Sequence, residues 1–220
     1  MLAIVVTPIQ MAVGDWSAKV VAKTQPLKLA AMEAHYETET RAPLRIGGIP
    51  NDETEETTLS IKIPGMLSWI SYGDVNAEVK GLKEWPKLDR PPTAVVHFAF
   101  QIMVGIGSWC MLVVAWATWS LLRTRELPAS RWFLRSIAVS GPGSILALEA
   151  GWIVTEVGRQ PWIVQGYMRT EEAVTTADGI WFVFFVTLAI YTMLGLCAVI
   201  VLRLLAGVPI PEPAESTDGS

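Results

Sequence analysis

Residues 93–122 read TAVVHFAFQIMVGIGSWCMLVVAWATWSLL and contain no Asp, Glu, Lys or Arg. A helix crosses the hydrocarbon core of a bilayer with about 20 apolar residues, so this stretch predicts a membrane-spanning helix. Residues 179–202 are also free of charged side chains and predict another. Residues 136–157 form a third candidate span, although Glu149 and the sequence Gly141-Pro142-Gly143 interrupt its apolar character. We therefore expect three complete membrane-spanning helices.

The composition of the whole chain agrees with a membrane protein. Of the 220 residues, 51% are hydrophobic and only 17% are charged, whereas a soluble domain carries about 25% charged residues. The net charge of −4 leaves no basic surface for nucleic acid, so we expect no nucleic-acid partner. The predicted fold class is all-α, a polytopic membrane helix bundle in a lipid bilayer.

The beginning of the chain has an unusual pattern. Residues 1–13 (MLAIVVTPIQMAV) are uncharged, but a helix of that length reaches only about 20 Å and cannot cross a bilayer. We interpret them as the end of a truncated transmembrane helix. On this interpretation the chain is a fragment of a longer protein, or its start codon is misassigned.

The remaining boundaries follow from charge and from turn residues. Within the long hydrophilic segment, residues 25–36 predict a short helix, residues 51–58 an acidic turn and residues 58–63 an edge strand. The other predicted parts are an outer loop over 14–92, membrane helices over 93–122, 136–157 and 179–204, a connection over 123–135, a second outer loop over 158–178 and a disordered tail over 205–220.

Arginines predict the orientation of the chain in the membrane. The connection 123–135 holds four arginines against the single acidic residue Glu126. Short loops rich in Lys and Arg stay on the cytoplasmic side. We therefore expect this connection and the C-terminus inside, and residues 14–92 and 158–178 outside.

Four polar or aromatic side chains share one stripe of the predicted helix over 136–157. Glu149, Trp152, Glu156 and Arg159 follow one another at steps of three, four and three residues, which places them on one helical face. A carboxylate within a membrane is costly and usually functional. The stripe suits a proton path, a metal or heme ligand, or a polar seam between helices. A plainer alternative is that Glu156 only pairs with Arg159.

Met103 is the other candidate ligand in the apolar stretches. A thioether is a soft axial ligand for low-spin heme iron, but methionine in an apolar helix more often packs. Gly105 and Gly107 would allow a macrocycle or another helix to approach. We expect His35 and His97 to lie at an interface or in solvent rather than to act as ligands.

Three motifs resemble one family. GWIVTEVGRQPW, residues 151–162, resembles the GWxxxExGRQPW signature of subunit I of cytochrome bd-type quinol oxidases. QPLKLAAME, residues 25–33, resembles the start of that family's quinol loop, and FAFQIMVG, residues 98–105, resembles its FAFRIMVG helix. The resemblance covers about residues 1–205 but only the C-terminal half of a family member. The short loop resembles the branch described as cyanide-insensitive.

The resemblance implies roles for individual residues. Met103 matches the axial ligand of a low-spin heme b, and Glu156 matches the ligand of a high-spin heme b beside heme d or a substitute heme. Trp152 matches an aromatic residue between the hemes. Lys28 and Glu33 match residues implicated in quinol binding.

Further roles and two departures complete the resemblance. Arg159 would hold heme propionates by charge-assisted hydrogen bonds, and Glu149 would belong to the same catalytic stripe. Gln101 stands where the family pattern has Arg. The family's histidine ligands would precede Met1, so this fragment alone is expected to be inactive.

The implied function is that of a terminal respiratory oxidase subunit in the bacterial inner membrane. It would oxidise quinol, reduce dioxygen to water and contribute to the proton-motive force, together with subunit II and a small single-helix subunit. The sequence leaves the choice between ubiquinol and menaquinol open. The alternative is a non-catalytic membrane scaffold or transporter fragment whose carboxylate stripe is a polar helix seam.

Overall fold

A computed structural model describes residues 2–207 of the chain, which is mainly helical. The helices are α1 (Leu2–Thr24), α2 (Pro26–Met32), α3 (Met66–Tyr72), α4 (Thr93–Thr124), α5 (Arg131–Val157) and α6 (Ile180–Ala206). The chain divides into two compact units, Met1–Ala173 and Val174–Ser220. The first unit holds α1 to α5 and the second holds α6.

Within residues 2–207, three helices are long and apolar enough to cross a membrane, namely α4, α5 and α6. They coincide with the three stretches predicted from the absence of charge, and the predicted all-α membrane bundle is confirmed. The side chains of α6 are exposed throughout its length. An exposed apolar surface of this kind suits contact with lipid.

Two helices are longer than the uncharged stretches predict. The first continues past residue 13 to Thr24, and α5 begins at Arg131 rather than at residue 136. Lack of charge marks only the part of a helix that suits lipid, whereas backbone hydrogen bonding continues into the polar turns. An ion pair one turn apart, Lys19 with Asp15, lies in the added part of α1, and the Ser130 hydroxyl accepts from the Phe133 amide to cap α5.

The segment between α1 and α4, residues 25–92, is called the connecting segment below. It holds α2, α3 and short antiparallel strand pairs. The strands there are β1 (Glu39–Thr40), β2 (Leu44–Ile46), β3 (Ile49–Asn51), β4 (Glu56–Thr58), β5 (Ile61–Ile63) and β6 (Glu78–Val79). They pair as β1 with β6, β2 with β5 and β3 with β4. A further pair, β7 (Trp162–Val164) and β8 (Met168–Arg169), follows α5.

The connecting segment agrees with the sequence in two places and differs in one. The predicted short helix is α2, with Pro26 in its first turn, and the acidic turn joins β3 to β4. The single strand predicted over 58–63 is wrong, because β4 ends at Thr58 and β5 starts at Ile61. Between them Leu59 has a φ of 55°, which breaks the extended conformation.

The core of the first unit forms where α2 packs against the beginning of α4 and the end of α5. Its fully or nearly fully buried members include Ala30, Ala31, Val96, Ala150 and Val154. The helices α4 and α5 are antiparallel, since α4 contacts α5 at Met103 and Gly151 near one end and at Trp116 and Phe133 near the other. The predicted tail over 205–220 lies outside the described residues from residue 208 onward.

Candidate functional site

The helix α2 brings Lys28 to the end of α5. Lys28 is 8% exposed, and its Nζ donates a hydrogen bond to the backbone carbonyl of Thr155 at 3.1 Å. Its methylene groups lie against Gly158, where a Cβ would come 3.2 Å from Lys28 Cε. Burial and the Arg159 guanidinium lower the pKa of Lys28, while the Glu156 carboxylate opposes them. Two separate motifs of the sequence therefore meet here.

A cleft of about 490 Å³ opens beside this contact. It lies where α1 ends and α2 begins, against the residues that follow α5. Polar and aromatic side chains line it, among them Gln25, Lys28, Arg159 and Trp162. Two cationic groups at one cleft of this size can receive an aromatic or anionic group.

The face of α5 turned away from α4 carries the predicted stripe. Glu149, Trp152 and Glu156 lie on this face and are exposed, whereas Ala150 and Val154 on the opposite face are buried. Arg159 is also exposed, but it follows the end of α5 at Val157, so the predicted stripe of four residues extends past the helix. Arg159 Nη2 lies 3.4 Å from Glu156 Oε1, and both side chains are about half exposed. This contact is a long surface ion pair of small energetic value, so the Glu156 carboxylate is free for a stronger partner.

Met103 lies on α4, on the side that contacts α5, and not beside the exposed face of α5 that carries Glu156. A Cβ on Gly151 would come 3.0 Å from Met103 Sδ, so the thioether packs directly against the glycine backbone. Gly107 contacts α1 in the same way, since a Cβ there would lie 3.8 Å from Met11 Sδ. Methionine has three rotatable side-chain bonds and fills irregular spaces between helices.

Met103 and Glu156 each present a side-chain atom that can bind a metal ion. A thioether and a carboxylate are the two donor types present, and Glu156 stands on a face with open space beside it. Among residues 2–207, no group of three or more His, Cys, Asp or Glu side chains could hold a metal ion by itself. Met103 and Glu156 would each supply a single ligand to a heme.

Glu33 faces a different set of neighbours from Lys28. It follows α2 directly, is 4% exposed, and its Oε2 has no hydrogen-bond partner. Burial raises the pKa of Glu33 to about 7, against the opposing charge of Arg45. Lys28 and Glu33 were predicted together as quinol-binding residues. The structure sets Lys28 among α5 residues and Glu33 beside β2.

The expected exposure of the two histidines is wrong, because both are fully buried. His35 Nδ1 accepts from Arg45 Nη1 at 2.7 Å. The ring nitrogens of His97 lie 2.8 Å from the Met32 carbonyl oxygen and 3.3 Å from that of Gly47. A histidine inside an uncharged helix needs buried partners, and this was the available sequence signal for His97.

Two further residues were missed as members of this cluster. Arg45 is half-buried beside Glu33 and His35, and Gln101 makes two hydrogen bonds to the backbone around Arg45. Arg45 lies in no recognisable motif, so the sequence carried no signal for it. The sequence marks Gln101 only as a departure from the family pattern.

Comparisons with known proteins agree with these motifs. The profile of the family described as cytochrome bd terminal oxidase subunit I matches residues 1–208. A Bacillus subtilis (strain 168) protein, provisionally described as cytochrome bd menaquinol oxidase subunit I, is 34% identical over 86% of this chain and 42% of its own length. Cytochrome bd ubiquinol oxidase subunit 1 of the same organism is 33% identical over 83% of this chain and 42% of its own length.

A solved structure gives the same result for the fold. The bd oxidase from Geobacillus thermodenitrificans aligns with a TM-score of 0.78 and 36% sequence identity, over 94% of this chain and 48% of that chain. The present chain thus spans less than half the length of these relatives. These relatives are described as oxidase subunits, so the matches do not support the alternative of a non-catalytic scaffold or transporter fragment.

We predict that Glu33 and His35 have opposite effects on stability as the pH changes. With its pKa raised to about 7, Glu33 destabilises the fold as pH rises from 4.5 to 7, because its ionised form is favoured more in the unfolded chain. Burial lowers the pKa of His35 to about 4, so His35 makes the fold more stable as pH rises from 4 to 6.5. In Glu33→Gln only the effect of His35 remains. The thermal unfolding temperature of this variant should therefore rise between pH 4 and pH 6.5 more steeply than that of the wild type.

The measurement is a thermal melt of the solubilised protein at several pH values. The exposed Glu53 offers a matched control, since Glu53→Gln should leave the wild-type profile unchanged. A Glu33→Gln profile with the wild-type slope would contradict the prediction.

Proposed function

We propose, because this chain belongs to the cytochrome bd terminal oxidase subunit I family, that it forms part of a membrane oxidase that oxidises quinol and reduces dioxygen to water. The observation that carries this proposal is the contact between α2 and the end of α5. Lys28 Nζ donates to the Thr155 carbonyl at 3.1 Å, directly before Glu156. The segment that resembles the quinol loop is thereby docked beside the carboxylate that resembles a heme ligand.

The buried ionisable groups Lys28 and Glu33 have different proposed roles at the quinol site. Lys28 lines the cleft beside Arg159 and donates a hydrogen bond to a quinol oxygen there. Glu33 is buried and lies outside the lining of this cleft, so it would receive a proton of the quinol indirectly, at its unpartnered Oε2. A carboxyl whose pKa is about 7 binds and releases protons near neutral pH.

The heme end of the proposal rests on α4 and α5. Met103 would hold a low-spin heme b, and Glu156 would hold a high-spin heme b with heme d or a substitute heme beside it. The bound hemes supply electron transfer and the binding of dioxygen. Arg159 would donate hydrogen bonds to heme propionates, and the exposed ring of Trp152 would contact a heme. Glu149 belongs to the same face of α5.

The same proposal includes the orientation of the chain in the membrane and its partner subunits. The connecting segment lies on the outer side of a bacterial membrane, and the short connection between α4 and α5 lies in the cytoplasm. Arginines around that connection support this orientation. Subunit II and a small single-helix subunit are the proposed partners, and oxidation of quinol outside contributes to the proton-motive force.

We predict that Glu156→Ala empties or disorders the oxygen-reducing heme pair but spares the low-spin heme. Glu156→Gln keeps the shape and loses the charge, so it should weaken iron ligation nearly as much. If Glu156 only paired with the half-exposed Arg159, its loss would cost at most about 1 kcal/mol of stability. Heme spectra and oxygen consumption of the purified complex distinguish these outcomes.

The exposed Glu171 serves as control for this experiment. Glu171→Gln should leave heme content and oxygen consumption at wild-type values. Full heme content and activity in Glu156→Ala would rule out the ligand role.

We predict that Met103→Leu converts the low-spin heme b to high spin or loses it. Leucine keeps the volume that packs against Gly151, so helix packing should change little. The matched control on the same helix is Met111→Leu, which should keep the wild-type spectrum. An unaltered reduced-minus-oxidised spectrum in Met103→Leu would leave Met103 as a packing residue only.

We predict that Lys28→Ala raises the apparent KM for quinol by about tenfold while heme content is unchanged. Loss of one charged hydrogen bond costs about 1.5 kcal/mol, which corresponds to a tenfold change. Lys62 on β5 is exposed and supplies the control Lys62→Ala. Steady-state kinetics with a soluble quinol measure the effect, and a wild-type KM in Lys28→Ala would contradict the role in quinol binding.

A further inference from the structure

Two side chains of α4, one helical turn apart, hold the backbone of the connecting segment. Gln101 Nε2 donates to the carbonyl of Arg45 at 3.0 Å, and Gln101 Oε1 accepts from the amide of Gly47 at 3.3 Å. The His97 ring contacts the carbonyl oxygens of Gly47 and Met32. Together, His97 and Gln101 fasten the turn after β2 and the end of α2 to the same face of α4.

This attachment needs a side chain that both donates and accepts. An amide has an NH₂ group and a carbonyl oxygen, whereas a guanidinium has only donors. An arginine at position 101 could therefore bind the Arg45 carbonyl but could not accept from the Gly47 amide. Gly47 has a φ of 67°, so the turn it forms depends on a conformation that most residues avoid.

The fastened turn determines where the Arg45 side chain lies. Arg45 donates to His35 Nδ1 at 2.7 Å, and its positive charge acts on buried Glu33. Other ionisable groups around Arg45 and Glu33 are Glu39 and Tyr36 in the connecting segment and His97 on α4. Arg45 is the cation that acts on Glu33 in this group.

We propose that Gln101 is a positioning residue for the quinol site, which acts by holding the Arg45–Gly47 turn so that Arg45 keeps its hydrogen bond to His35, two residues after Glu33. This inference rests on the proposed function, because it assigns Glu33 to quinol oxidation. Gln101 also lies two residues before Met103 on α4. One helical turn therefore positions the proton acceptor of the quinol and carries the proposed heme ligand.

The test uses Gln101→Leu in the assembled membrane complex. Leucine has a similar size and makes neither hydrogen bond. Without the attachment, Arg45 moves away from Glu33, and the favourable charge that holds down the pKa of Glu33 is lost. The acidic limb of the pH profile for quinol oxidation should then move to higher pH by about one unit.

A double mutant shows whether Gln101 acts through Arg45. Arg45→Gln alone should produce the same upward shift, and Gln101→Leu combined with Arg45→Gln should shift no further. Additive shifts would overturn the inference, as would an unshifted profile in Gln101→Leu. Thr118 supplies the control, since its hydroxyl donates to the Val114 carbonyl of its own helix and Thr118→Val should keep the wild-type profile.

A second measurement does not depend on activity. Hydrogen exchange at the Gly47 amide should be faster in Gln101→Leu than in wild type, and equal rates would overturn the attachment. If Gln101→Leu does not assemble, Gln101→Asn is measured in the same way, because its shorter side chain cannot reach both backbone groups. An inactive wild-type complex would overturn the proposed function, whereas an active one with an unshifted Gln101→Leu profile overturns only this inference.

Discussion

The packing of α2 against α4 and α5 is the interaction on which the rest of the structure depends. Small side chains meet there, with Ala30 and Ala31 on α2, Ala99 on α4 and Ala150 on α5 all nearly or completely buried. Small residues let helix backbones approach closely, which strengthens dispersion contacts. A bulkier residue at any of them would lift α2 off the two long helices, and the side chains that α2 carries would lose their neighbours.

Burial of α2 has an electrostatic consequence. Lys28 and Glu33 are carried into the interior with the apolar residues around them, and a buried charge is costly unless it has a partner. Lys28 offsets this cost by donating a hydrogen bond to the Thr155 carbonyl. Glu33 keeps one oxygen without a hydrogen bond, and its burial raises its pKa to about 7. A group in that condition is suited to proton exchange.

Side chains on different faces of α4, and likewise of α5, have different neighbours and different proposed roles. On α5, the side with Ala150 and Val154 contacts the bundle, and the opposite side presents Trp152 and Glu156. On α4, Gln101 turns toward the connecting segment, while Met103 contacts α5 at Gly151. This division places the proposed quinol and heme sites near one end of the α4–α5 pair.

Local pattern alone determined the three spans, the start of α2 at Pro26 and the common face of Glu149, Trp152 and Glu156. Those features depend on hydropathy and on a period of 3.6 residues, both of which act over a few turns of one helix. Only the tertiary structure decided that His35 and His97 are buried and that Lys28 and Glu33 have different neighbours. It also decided that Gln101 holds the backbone at Arg45, 56 residues away along the chain. Such contacts depend on how separate elements pack, and no local period encodes which distant backbone group a buried side chain will meet.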